Sequence, residues 1–174
     1  LERLADPRTA ALGEVGLDYH YDLSPRDVQQ NVFRRQVQLA HVTGLPLVLH
    51  VRDAHEDAFR ILEEEGWPEA GTLLHVAAWS DELARWSSVE RMWHSAGRLL
   101  PTKRDLRASS VMVPAERLLT ETDAPYMAPV PFRGIECGLN YDFTAERIAE
   151  VRGVASGEAR RALLQQMHDA GVAF

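Results

Sequence analysis

The sequence predicts an α/β fold of the (β/α)8 TIM-barrel type, represented by about the last five strand-helix units around a parallel sheet. Three observations carry the prediction. Apolar runs alternate with helical periodicity from one end of the 174 residues to the other, as repeated β/α units require. Four of those runs end in a metal-capable side chain, at Glu14, His50, His75 and Asp123, so successive strands would deliver ligands to one shared edge. A closed barrel needs eight units in typically about 250 residues. The chain therefore reads as one domain over residues 1–174 that is N-terminally incomplete, and its start at Leu1 agrees with that.

The elements follow in order. Residues 11–17 form the first strand. Leu23-Ser24-Pro25-Arg26-Asp27 then gives a Ser N-cap with Pro at the first helical position. Val28, Val32, Phe33, Val37, Leu39 and Ala40 carry helical spacing, and Gly44 ends the helix. Residues 45–49 are the next strand and 54–65 the next helix, with Ala58, Ile61 and Leu62 on one face and Gly66 beyond it. Residues 72–77 form a strand, 81–87 a short helix capped by Ser80, and 91–96 a further strand. Residues 104–109 read as a helical turn, 117–121 as the last strand, and 145–151 and 156–170 as closing helices.

Composition narrows the function. A net charge of −7 excludes a strongly basic surface that coats nucleic acid, because phosphate binding of that kind rests on Lys and Arg. An acidic protein can still act on nucleic acid when metal ions supply the positive charge. The single Cys137 rules out an internal disulfide and suits a reducing compartment, with the cytoplasm as the expected setting. No apolar run reaches the roughly 18 residues needed to span a bilayer, so no membrane is expected.

In parallel α/β folds the reactive groups sit at the C-terminal ends of the strands, where the βα loops form the open face. Oxygen and imidazole donors there suit Zn, Mn, Mg or related ions. Such ions polarise a phosphoryl or carbonyl oxygen and acidify water. Singly, each of the four residues is more simply a core histidine, a cap or an ion-pair partner. Four at successive strand ends favour a site. His94 reads more readily as a core or surface histidine than as a polar contact in that site, and His20 as a loop residue near Glu14. The four tryptophans, Trp67, Trp79, Trp86 and Trp93, form a local core cluster more readily than a base-stacking surface.

At these residues the chain resembles the TatD family of metal-dependent deoxyribonucleases, members of the amidohydrolase-like barrel group. The matching strings are Gly13-Glu14-Val15-Gly16-Leu17-Asp18-Tyr19, Leu49-His50-Val51-Arg52-Asp53-Ala54, and Glu121-Thr122-Asp123-Ala124-Pro125-Tyr126 with Pro129-Val130-Pro131-Phe132-Arg133-Gly134. Ser24-Pro25-Arg26 and Phe33-Arg34-Arg35-Gln36 add to them, and the likeness runs from Leu12 to Gly153. The resemblance implies a (β/α)8 barrel holding two divalent ions (Mg, Mn or Zn) that hydrolyse DNA phosphodiesters. It implies that Glu14 bridges the metals, that His50 and His75 complete one site with it, and that Asp123 belongs to the other and orients or deprotonates the attacking water. Arg52 and Arg133 would meet phosphate or anchor loops.

The chain also departs from the family's pattern. It has no His-x-His pair, so the second site is reduced to Glu14 and Asp123. Val76-Ala77-Ala78-Trp79-Ser80 follows His75 where the family has Cys-Phe-Ser-Gly, and Ile135-Glu136-Cys137-Gly138-Leu139-Asn140 replaces an Asn-Glu-Pro string. Two further readings stay open. One is a metal-dependent lactonase or amidohydrolase on the same barrel. The other is a non-catalytic fragment whose sheet edges need the missing segment or self-association to cover them.

Overall fold

The computed structural model describes residues 2–75, 83–96, 112–121 and 123, with 146, 148–150, 152, 153, 157, 161 and 165. Arg133, Cys137, Trp79, the segment 76–82 and the predicted turn at 104–109 lie outside them. Five strands, β1 (Leu12–Asp18), β2 (Leu47–Arg52), β3 (Thr72–Leu74), β4 (Met92–Ala96) and β5 (Leu118–Thr120), form one sheet in sequence order. Every neighbouring pair is parallel. Between them lie α1 (Arg26–Thr43), α2 (His55–Glu65) and the short α3 (Leu83–Ser87). Sequential parallel strands joined by helices are the arc of a (β/α)-barrel sheet. Farther on, Glu146, Ile148, Ala149, Glu150 and Arg152 are helical, as are Gly157, Arg161 and Gln165.

Alternation along each strand sets the layers. In β2, Leu47 and Leu49 are fully buried and Val51 nearly so, while Val48, His50 and Arg52 remain part-exposed. Successive strand side chains point to opposite faces, so the first set meets the helices and the second lines the inner face of the arc. α1 supplies Phe33, Val37 and Ala40, and α2 supplies Ala58, Phe59, Ile61 and Leu62. Each large side chain so buried is worth roughly 1.5–3 kcal/mol against exposure. Trp67 and Trp86 pack edge-on to Phe59, both with ring centroids 5.3 Å away. Trp86 belongs to the core and the partly buried Trp67 packs against it, whereas Trp93 lies on the other face of β4 from buried Met92 and His94.

Some boundaries differ from the sequence reading. The N-cap of α1 is Pro25 and not Ser24, and no side chain caps the helix. The extended backbone at Pro25, ψ 138°, places the ring outside the helix, and the Gln29 N–H bonds the Pro25 carbonyl at 3.0 Å. Gly44 ends the helix as predicted, at φ 67° with its N–H on the Ala40 carbonyl. β2 runs through Arg52 and not only to residue 49, because Val51 and Arg52 continue the pairing with β1.

Candidate metal and catalytic site

Glu14, His50 and Asp18 come from the β1–β2 pair. Gly16 makes that pairing possible. Its φ is 146°, and a Cβ there would stand 2.0 Å from the His50 carbonyl oxygen; only glycine tolerates both the conformation and the approach. Register aligns Gly16 with His50 and Asp18 with Arg52. The pairing shifts between Leu12 and Val15, and irregularities of this kind re-aim side chains near sites; Glu14 sits within it.

His75, at the end of β3, is the hub. Its N–H bonds the Leu49 carbonyl at 2.9 Å, which fixes the backbone beside β2. The ring Nε2 lies 3.0 Å from Glu14 Oε1 and 3.3 Å from Asp123 Oδ1, and Nδ1 bonds Glu121. Ser95 of β4 donates to the same Glu121 oxygen at 2.6 Å. Burial alone would depress the His75 pKa, but the bonded Glu121 and the charges of Glu121, Glu14 and Asp123 outweigh it and raise the pKa to about 9.

The structure thus brings together three of the four predicted residues, Glu14, His75 and Asp123. His50 bonds a different carboxylate, with Nε2 3.2 Å from Asp18 Oδ2. Although burial pushes the Asp18 carboxyl up, the Tyr21 N–H, the His50 ring and the His20 N–H together hold it below its ordinary value. Glu14, Asp18 and His50 share a cavity of about 390 Å³ with Ser24, Gln29 and Gln36. Arg52 lies two residues beyond His50 on the same face of β2.

Three contributors were not assigned from sequence. Glu121 and Ser95 were detectable by strand alternation, since Glu121 follows Leu119 by two on the inner face and Ser95 has the opposite parity to His94. His94 is fully buried on the helix side of β4, with Nε2 3.3 Å from Ser87 Oγ, a core histidine as favoured. Asp18 closes the Gly-Glu string four residues after Glu14, but only the register with β2 shows that it meets His50.

The donor set fits a divalent ion in chemistry and orientation. Metal-bound imidazoles commonly give their other ring nitrogen to a carboxylate, and here Glu121 takes Nδ1 while Nε2 faces Glu14 and Asp123. Separations of 3.0 and 3.3 Å match neighbouring ligands on one ion with bonds of about 2.1 Å. Among the described residues, no three His, Cys, Asp or Glu side chains close around a metal-sized position.

A family model described as TatD related DNase matches residues 1–169. The chain belongs to the TatD family. Its TatD-type sequence is 41% identical over 154 residues to the uncharacterized metal-dependent hydrolase YabD of Bacillus subtilis, covering 87% of this chain and 60% of YabD. It is 36% identical over 173 residues to the uncharacterized metal-dependent hydrolase YcfH of Escherichia coli, covering 97% of this chain and 64% of YcfH. The chain thus spans less than two thirds of either relative's length. The crystal structure of YJJV, a TatD homolog from Escherichia coli, superposes with a TM-score of 0.82 at 25% identity over 97% of this chain and 67% of that one. The TatD fold agrees with the five parallel strands described above.

Proposed function

We propose that this chain supplies the catalytic edge of a divalent-metal-dependent hydrolase, and that the bond cleaved is a DNA phosphodiester. The observation that carries the reading is the His75 ring held between Glu121 on one nitrogen and Glu14 and Asp123 on the other. The family description and the relatives' printed names as metal-dependent hydrolases support it. No helix among the described residues is long and apolar enough to cross a membrane.

Glu14, His75 and Asp123 would hold the metal, with His50 contributing from β2. When bound, divalent ions supply a Lewis acid that polarises the phosphoryl oxygen and acidifies water. The chain's own groups do the rest. Glu121, steadied by Ser95, keeps the His75 proton on Nδ1 and leaves Nε2 as the donor lone pair. Asp123, whose Oδ1 faces the same position as Glu14 and His75, would orient the attacking water or take its proton through its other carboxylate oxygen. Asp18 holds the His50 ring, and Arg52 meets a phosphate oxygen.

The test is calorimetric metal uptake by the wild type, Glu14→Gln and His75→Ala, with cleavage of single- and double-stranded DNA measured on the same samples. Both variants should lose uptake and cleavage together. DNA cleavage unchanged in both would remove these residues from the chemistry. Hydrolysis of a lactone or amide with DNA left intact would move the substrate to another bond.

A further inference from the structure

We propose that Tyr21, His20 and Arg52 form a platform that stacks an unpaired base of single-stranded DNA beside the histidine–carboxylate cluster. This rests on the DNA reading above and adds a subsite to it. Tyr21 is 61% exposed, three residues past the end of β1 on the ligand-bearing edge of the sheet. An exposed aromatic on a loop is ordinary, but this one is held. Asp18 Oδ1 accepts the backbone N–H groups of both His20 and Tyr21 at 2.9 Å, which closes the turn beneath the ring. The Tyr19 N–H bonds the Arg52 carbonyl at 2.9 Å, tying the turn to the end of β2.

The ring has two supports. The Arg52 guanidinium lies over it, 4.8 Å from the centroid, and the His20 ring meets it edge-on at 5.0 Å and 84°. His20 is itself steadied by Asp53, Nδ1 to Oδ2 at 3.2 Å. Arg52 makes no ion pair among the described residues, which is also true of Arg35, Arg91 and Arg117, but of these four only Arg52 stands at the C-terminal end of a strand. An unpaired cation on a chain of net charge −7, placed two residues from His50, answers an anionic ligand. A preorganised aromatic beside it answers a flat one. Phosphate and base on one nucleotide satisfy both at a spacing of a few ångströms.

Base stacking on one aromatic is sequence-tolerant and loses roughly ten-fold in affinity when the ring is removed. Phosphate contact by an arginine weakens binding to every sequence alike and contributes about one unit to the salt slope. The test is a fluorescence titration of the full 174-residue chain, in EDTA to prevent cleavage. One single-stranded oligonucleotide carries 2-aminopurine at its end and a second carries an abasic end. The wild type should quench the 2-aminopurine and bind the intact oligonucleotide roughly ten-fold more tightly than the abasic one. Tyr21→Ala should lose the quench and bind both alike, Tyr21→Phe should behave as wild type, and Arg52→Gln should weaken both equally.

Circular dichroism checks that each variant keeps its fold, which exposed Tyr21 is free to do. No oligonucleotide binding by the wild type, or a folded Tyr21→Ala that still prefers the intact oligonucleotide, overturns the platform. The platform and the hydrolase reading fail separately. Tyr21-dependent binding by a chain that cleaves no DNA keeps the platform and removes the reaction, and cleavage with no Tyr21 effect does the reverse.

Discussion

Lowering the pH from about 7 to about 4.5 should cost the folded chain about 2 kcal/mol through His94 alone. His94 is fully buried, and its Nδ1 has no hydrogen-bond partner among the described residues. Burial, with the nearby charge of Arg117 adding to it, pushes the pKa from 6.5 down to about 4. A histidine whose folded pKa lies below its unfolded value is held neutral by folding, so below pH 6.5 the unfolded chain binds more protons. Its stability contribution is complete at neutral pH and drains away as the pH falls from about 6.5 toward about 4. At about 1.4 kcal/mol per unit the whole shift is worth roughly 3 kcal/mol, of which about 1 is gone by pH 5.5. His75 does not disturb this window, because its raised pKa gives a contribution that is complete below 6.5 and lost only as the pH rises through about 9. Urea unfolding at about pH 7, 5.5 and 4.5, followed by tryptophan fluorescence, should show the wild type declining more steeply than His94→Gln. Carboxylate titrations are common to both and cancel in the difference. Parallel declines would refute a neutral, buried His94.

Three further outcomes follow from the packing and the site. Gly16→Ala should destabilise by about 3 kcal/mol or more, since its Cβ would stand 2.0 Å from the His50 carbonyl oxygen at a φ that side chains rarely adopt; denaturant midpoints check this, and metal uptake should weaken with it. Tyr19→Phe removes a hydroxyl that donates to Asp57 at 2.8 Å and accepts from Gln30 at 2.7 Å, and should cost about 1 kcal/mol in the same assay. Metal uptake near neutral pH should release about one proton per ion, because His75 is protonated below its pKa of about 9 and must lose that proton to ligate. Calorimetry in buffers of different ionisation enthalpy reads the release, and uptake without it would contradict the placement of His75.

Much of the arc was legible because β1, β2, β3 and β5 each announce themselves twice, by an apolar run and by a metal-capable side chain of the site, which β4 does not. His75 and Asp123, just past the ends of β3 and β5, could be brought to one edge from spacing alone, since parallel strands present their C-terminal ends together. Glu14 and His50 lie inside β1 and β2 and not at their ends, which the apolar runs did not show. Parity decides between neighbours such as His94 and Ser95, but only once the strand's first buried residue is known. Who bonds whom was not legible. Glu121 on His75, Asp18 on His50 and Asp57 on Tyr19 depend on cross-strand register and on side-chain torsions, which local sequence does not encode. Ser24 misled for a related reason. Pro at the first helical position and Pro as the cap differ by one residue of backbone, and the sequence favours both.

Asp18 gives the site an economy with a consequence for any genetic dissection of it. One oxygen of its carboxylate closes the turn under Tyr21 and the other bonds the His50 ring. Nothing attached to the outer turn is mechanically independent of the imidazole inside. Substitutions at Asp18, His50 and Tyr21 should therefore combine non-additively. Scanning this loop one residue at a time would credit several side chains with what a single carboxylate does.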